Sequence, residues 1–366
     1  MSLNLTTSVL NVVFSTMIKM NNPHAWYLKD LKFVPQNGLK VMSTFSCGGG
    51  SSLGYKLAGC DVIAANDIDP EMAYHYKLNL NPQHYFLCPV KDLVKKQLPS
   101  ELHHLDILDG SPPCSNFSVS GNREKDWGKK KHFREGQAVQ VLDDLFFDYL
   151  NLVEKLKPKV AIAENVKGLI LGNAKGYCKL IIDRFKAIGY SPQLFLVNAA
   201  DCGVPQRRER VFFIALRNDI HKPKLILAPK HRWISAGEAT SDLQVLTQDE
   251  IKETRPSPND IKCWEHTRKG DAYKTFLLKT EKRNSCFNNI RLNDSCPANT
   301  LSSTPELYTH WDVCRKLTYR EYKRLGSFPD DYKARSTRIG KYMVGMSVPP
   351  RMMEKVAQAV ISQWLL

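Results

Sequence analysis

Between Leu39 and Arg217 the sequence alternates short apolar runs with stretches of helical period, and few folds accept that rhythm. Val41 to Phe45, Asp61 to Ala65, His104 to Leu108, Val160 to Ala163 and Arg210 to Leu216 read as strands. Ser51 to Leu57, Pro70 to Leu80, Val139 to Leu156 and Leu180 to Ile188 read as helices, the second with proline in its first turn. Strand and helix in alternation predict a mostly parallel sheet covered on both faces, an α/β architecture. In such sheets ligands gather at the carboxyl ends of the strands. Cys47-Gly-Gly-Gly50, Asn66-Asp67, Gly110-Ser-Pro-Pro-Cys114 and Glu164-Asn-Val166 all fall at such ends.

After Ala228 the rhythm fails. Residues 248–306 are rich in charge, Pro, Asn and Ser, and predict an irregular basic insertion. Helices return at Leu317 to Leu325 and Arg351 to Leu366, the latter with Val356, Val360, Ile361 and Trp364 on one face. The chain divides into a 1–39 extension, a 40–247 catalytic unit, a short 248–306 recognition region and a 307–366 segment that completes the catalytic unit. Residues 3–18 are apolar but broken by Asn, Thr and Ser, with no basic leader. They predict a surface helix or loose extension, and no membrane span.

Net charge decides the partner class. At +15 over 366 residues, with pI near 9.3, the surface suits a polyanion, nucleic acid first; a solvated basic surface is the plain alternative. The 10 cysteines include no Cys-x-x-Cys pair and none at zinc-finger spacing from paired histidines, so reduced thiols, a cytoplasmic location and no metal are expected.

In GSPPCSNFSVSG, residues 110–121, two prolines restrict the backbone entering Cys114, a setting that no buried structural thiol requires. The Phe45–Gly54 loop joins a strand to a helix, where glycines permit close ligand approach and the helix end offers free amides. Asp67 is placed for ribose hydroxyls. An adenosine-bearing cofactor fits this loop, which alone does not separate a dinucleotide from S-adenosylmethionine.

GSPPCSNFSVSG, AENVKG and GVPQRRERVFFIA, in that order, with FSCGGG before them and RKLTYREYKRLGSFPDDY after, resemble the cytosine-5 DNA methyltransferases of bacteria and their phages. The likeness covers roughly 40–247 and 290–366. It implies an S-adenosylmethionine-dependent, Rossmann-like sheet, parallel except for one strand, with an inserted target-recognition segment. It also implies transfer of a methyl group to carbon 5 of cytosine in double-stranded DNA after base flipping, for restriction-modification or phage protection. Cys114 would be the nucleophile that adds to carbon 6. Glu164, protonated in a dry pocket, would serve ring nitrogen 3. The Gln-x-Arg-x-Arg pattern falls on Gln206, Arg208 and Arg210. Strand alternation puts the two arginines on one face and Arg207 and Glu209 on the other. Arg208 would meet the cytosine carbonyl, and Arg210 would support Glu164 or a phosphate.

The resemblance assigns S-adenosyl-L-methionine to Phe45, Ser46, Gly48, Gly49, Gly50, Asp67, Ile68, Pro112 and Ser347. DNA would meet Ser118, Lys129, Lys130, Lys131 and Gln206, the lysines lying on a basic, glycine-bounded stretch that suits a lid. The chain also departs from the family pattern. Ser43 and Cys47 stand where Asp and Gly are usual, Pro89 where an acidic adenine contact is expected, Ser115 where Gln follows the nucleophile, and Met346 where Gly-Asn is typical. A monomer is expected, and a cognate restriction endonuclease stays open as a partner. The alternatives are a transfer-RNA cytosine-5 methyltransferase of the same family and a nicotinamide-dependent oxidoreductase. The second gives no reason for the three later motifs.

Overall fold

Lys40–Thr44 forms strand β1 and is buried on both faces beyond its first residue, as an inner strand of a parallel sheet must be. The structure is a computed structural model that describes residues 22–113, 130–131, 140–141, 145–281 and 289–366. From β1 the chain passes a tight glycine loop into helix α1 (Gly50–Leu57), then β2 (Asp61–Asp67) and α2 (Pro70–Leu80). Asp69 caps α2 by accepting from the Glu71 and Met72 amides, and Pro70 takes the first turn, where no amide is needed. β3 (His84–Leu87), α3 (Val90–Lys95) and β4 (Ile107–Gly110) follow. Beyond them come α4 (Leu145–Leu156), β5 (Val160–Val166), α5 (Lys175–Ala187), β6 (Tyr190–Asn198) and β7 (Glu209–Arg217).

The seven strands lie in the order β3-β2-β1-β4-β5-β7-β6. β7 pairs antiparallel with both neighbours and every other pairing is parallel, so one strand is reversed. This is the expected mixed sheet. The chain builds outward from β1 to β3, then returns to place β4 on the other side of β1. That reversal opens a crevice between the carboxyl ends of β1 and β4. Two apolar layers sandwich the sheet. One holds Met42, Leu108, Phe146, Val153, Phe185 and Phe213; the other holds Val41, Tyr55, Ile107, Ile162, Phe212 and Met353.

Several boundaries differ from the sequence reading. The strand expected at His104 begins at Ile107, after a 3₁₀ turn at Ser100–His104. The long helix expected from Val139 begins at Leu145, and Gln140–Val141 pairs instead with Lys130–Lys131. The expected irregularity of 248–306 is corrected too. Among its described residues are α6 (Gln248–Glu253), α7 (Pro258–Trp264) and α8 (Tyr273–Glu281). Thr247 and Ser257 start the first two with full capping boxes, so local side-chain bonds outweigh the high polarity.

Later helices among the described residues include α9 (Tyr319–Leu325), α10 (Thr337–Met346) and α11 (Pro350–Val360). α11 lies against α1, and Gly54 permits it: a Cβ there would stand 2.5 Å from the Met353 Cβ. The described part of the extension is built into the molecule. Trp26 is buried and donates to the Ser327 carbonyl at 3.0 Å, and the Asn22 amide reaches Asp242 at 2.9 Å. Residues 3–18 lie outside the described residues. No helix among the described residues is long and apolar enough to cross a membrane.

Candidate active site

The crevice is walled by three loops that leave neighbouring strands. After β1, Phe45, Cys47 and Gly49 adopt left-handed backbone at φ 51°, 44° and 78°. Glycine takes that conformation freely, whereas the other two carry strain of about 1–3 kcal/mol each. The loop is held from both sides. The Cys47 amide donates to Asp67 Oδ2 at 2.7 Å, and the Tyr332 hydroxyl donates to the Gly48 carbonyl at 2.6 Å. Gly49 caps α1, and Gly50 opens it under the chain at Ser347 and Val348, where a Cβ would meet the Val348 oxygen at 2.1 Å.

Asp67 ends β2. Its Oδ1 accepts from the Ile68 amide at 2.8 Å and the Asp69 amide at 3.0 Å. Burial pushes its carboxyl upward and these amides pull it back. The Ser46 hydroxyl is buried with no partner among the described residues. An unsatisfied buried hydroxyl, an oriented carboxylate and the start of α1 line the same end of the sheet. They fit a ribose- and amino-acid-bearing cofactor. Ser347 closes this wall, its hydroxyl donating to the Met343 carbonyl at 2.8 Å. Pro89 directly precedes α3 and offers no side-chain acceptor, and Met346 is 46% exposed at the end of α10.

Across the crevice β5 delivers Glu164, only 8% exposed, whose Oε1 meets Arg210 Nε at 2.9 Å. Arg208 is 4% exposed and Arg207 and Glu209 are exposed, the alternation expected of an entering strand. Arg208 Nη1 donates to the Leu301 carbonyl at 2.8 Å, while its Nε is buried without a partner among the described residues. Burial and the neighbouring Arg210 bring its pKa down to about 9, so it stays charged at neutral pH. Burial likewise lowers Arg210, offset by Glu164.

Asn165 links this wall to the third loop. Its Nδ2 donates to the buried Pro112 carbonyl at 3.0 Å, two residues before Cys114. Cys114 itself, with Ser118 and Lys129, lies outside the described residues, as do the side chains of Lys130 and Lys131. Gln206 is 2% exposed, with both ends of its amide used internally. Its Oε1 accepts from the Leu301 amide at 3.1 Å and its Nε2 donates to the Leu325 carbonyl at 3.3 Å. It ties the 298–301 stretch to α9 and does not offer its amide to the surface.

Burial makes six of the described cysteines poor nucleophiles. Cys47 is raised to about 12, Cys60 to about 11 and Cys202 to about 12, with Cys88, Cys178 and Cys314 also raised. The sequence reading missed Asn165, Tyr332 and the Leu301 carbonyl. Asn165 and Tyr332 stood within quoted motifs; the carbonyl left no side-chain signal.

Comparison with known proteins finds relatives that align with most of the chain. Type II methyltransferase M.NgoPII of Neisseria gonorrhoeae is 26% identical over 346 residues, 88% of this chain and 96% of that protein. M.DdeI of Desulfomicrobium norvegicum is 28% identical, over 88% of each chain. Among solved structures, S. pombe Dnmt2 methyltransferase aligns with a TM-score of 0.61 at 16% identity, over 89% of this chain and 99% of its own. The model of the C-5 cytosine-specific DNA methylases matches residues 39–362, and the chain belongs to that family of DNA cytosine-5 methyltransferases.

Proposed function

We propose that this chain methylates cytosine in double-stranded DNA through a covalent adduct on Cys114, with the target base turned out of the helix into the crevice. The supporting observation is the convergence of Glu164, Arg208 and Arg210 beside the strand end that leads to Cys114, with Asn165 holding Pro112.

In this reading the Cys114 thiolate bonds to carbon 6 of the cytosine, and electron density moves through the ring toward nitrogen 3. Glu164, ion-paired with Arg210, takes up a proton as the base enters and passes it to nitrogen 3, while the Arg208 guanidinium faces the ring carbonyl. Carbon 5 becomes nucleophilic. Bound S-adenosylmethionine supplies the methyl group that carbon 5 accepts. Loss of the carbon 5 proton to a base then expels the Cys114 thiolate, and nitrogen 3 returns its proton to Glu164. Phe45, Ser46, Gly48 to Gly50, Asp67, Ile68, Pro112 and Ser347 hold the cofactor. Ser118 and Lys129 to Lys131 meet the DNA, and Gln206 acts through the 298–301 stretch it anchors. Protection of host or phage DNA against restriction is the proposed purpose, in keeping with relatives named as type II methyltransferases.

Bisulfite sequencing of DNA from cells that express the chain tests the reading. Methylated cytosines are expected with the wild-type protein and none with Cys114→Ser. Methylation that survives the substitution removes Cys114 from its role.

A further inference from the structure

Asp109 is the penultimate residue of β4 and only 1% exposed, a carboxyl within the sheet at the base of the crevice. Two elements converge on it. Ser43 of β1 lies in direct register with Asp109 and donates from Oγ to Oδ2 at 2.9 Å. Tyr55 of α1 donates to Oδ1 at 3.2 Å. The Thr44 hydroxyl donates to the Asp109 main-chain carbonyl at 2.9 Å. One residue thus binds the strand that enters the cofactor loop, the helix that leaves it, and the strand that carries the nucleophile five residues later. Ile162 is the Asp109 partner on β5, so Glu164, two residues further along, shares its face of the sheet.

The pairing also explains a departure. An acidic residue was expected at 43, where the chain has serine, and the carboxyl stands on the residue directly opposite in the neighbouring strand. A carboxyl expected on β1 is thus present one strand away, on β4.

We infer that Asp109 is a positioning residue, which clamps the cofactor loop to the base of the nucleophile loop through Ser43 and Tyr55. The inference rests on the cofactor reading above. With the clamp cut, the loop at 45–50, which carries two strained non-glycine residues, loses an anchor at its entry and another at its exit.

Titration calorimetry with S-adenosylmethionine, alongside methylation kinetics, tests it. Asp109→Ser is expected to weaken cofactor binding by about tenfold or more, and to lower kcat at saturating cofactor, since two side-chain bonds to a buried carboxyl are lost. The exchanged protein, Ser43→Asp with Asp109→Ser, restores the carboxyl from the other strand and is expected to regain affinity to within about threefold. A folded Asp109→Ser protein with unchanged affinity and kcat overturns the inference. Should that variant not fold, the exchanged protein decides alone: near-wild-type affinity supports the clamp, and loss of binding overturns it. Wild-type protein that binds cofactor yet leaves DNA cytosine unmethylated, with the exchange result intact, defeats the functional reading and not the clamp.

Discussion

At the scale of single residues the site depends on charges kept from water by design of the sheet. Arg210 and Glu164 meet where little solvent reaches, so each needs the other, and either alone would be an uncompensated buried ion. No cation pairs with Asp109 among the described residues. Burial raises its carboxyl to about 7 despite the Ser43 and Tyr55 hydroxyls, with Glu164 adding to the rise. Below about pH 4 the group is protonated in folded and unfolded chains alike and costs nothing. As pH rises toward 7 the unfolded chain releases the proton while the folded one retains it, so this contribution to stability is lost across that window. Tyr55, Tyr76 and Tyr149, which also face Asp109, are all raised by burial and stay neutral there. Asp109→Asn removes the titration. Its stability relative to wild type is expected to improve by on the order of a few kcal/mol from pH 4 to pH 8, read from denaturant unfolding at each pH. A constant difference would mean that Asp109 ionises as freely when folded as when unfolded.

At the scale of elements, packing and propensity can be set against each other at Gly54. It lies inside α1, where alanine would be favoured by roughly 1 kcal/mol on helix propensity alone. A Cβ there, however, meets Met353 Cβ at 2.5 Å, the Pro350 carbonyl at 2.7 Å and the Glu354 amide at 2.8 Å. Two of these are backbone atoms that cannot step aside. Overpacking costs about 1–3 kcal/mol, so Gly54→Ala is expected to destabilise the protein by thermal or denaturant unfolding, and packing wins. A gain in stability would show α11 free to retreat from α1. The elements hidden from the sequence have physical reasons for being so. His84–Leu87 is four half-exposed residues, too short to show a period. Tyr190–Asn198 carries Pro192 and exposed Leu194 and Leu196, as an edge strand can and a central one cannot. The helix at Pro70–Leu80, with its Asp69 cap and proline, matched its expected limits because both end signals are local.

At the scale of the whole molecule, a charge of +15 sets the dependence of DNA binding on salt. If Lys129, Lys130 and Lys131 each neutralise a phosphate, replacing all three by glutamine should reduce the slope of log affinity against log salt by about two to three. Measurement of DNA affinity between about 50 and 200 mM salt reads this directly, and an unchanged slope removes the cluster from the interface.

Local chemistry was present in the sequence itself. Most of the strand and helix order from β1 to β7, the proline-held cysteine, and the acid and arginines at strand ends follow from residue type and spacing, which act over a few neighbours. Tertiary structure alone decided which distant residues meet. Ser43 faces Asp109 because β1 and β4 are neighbours, although 66 residues separate them. Tyr332 reaches Gly48 across 284 residues, and Arg208 finds a main-chain oxygen at Leu301 that no side chain announces. Strand order and register arise from the packing of the completed sheet, and backbone acceptors are the same in every residue. No local pattern encodes either.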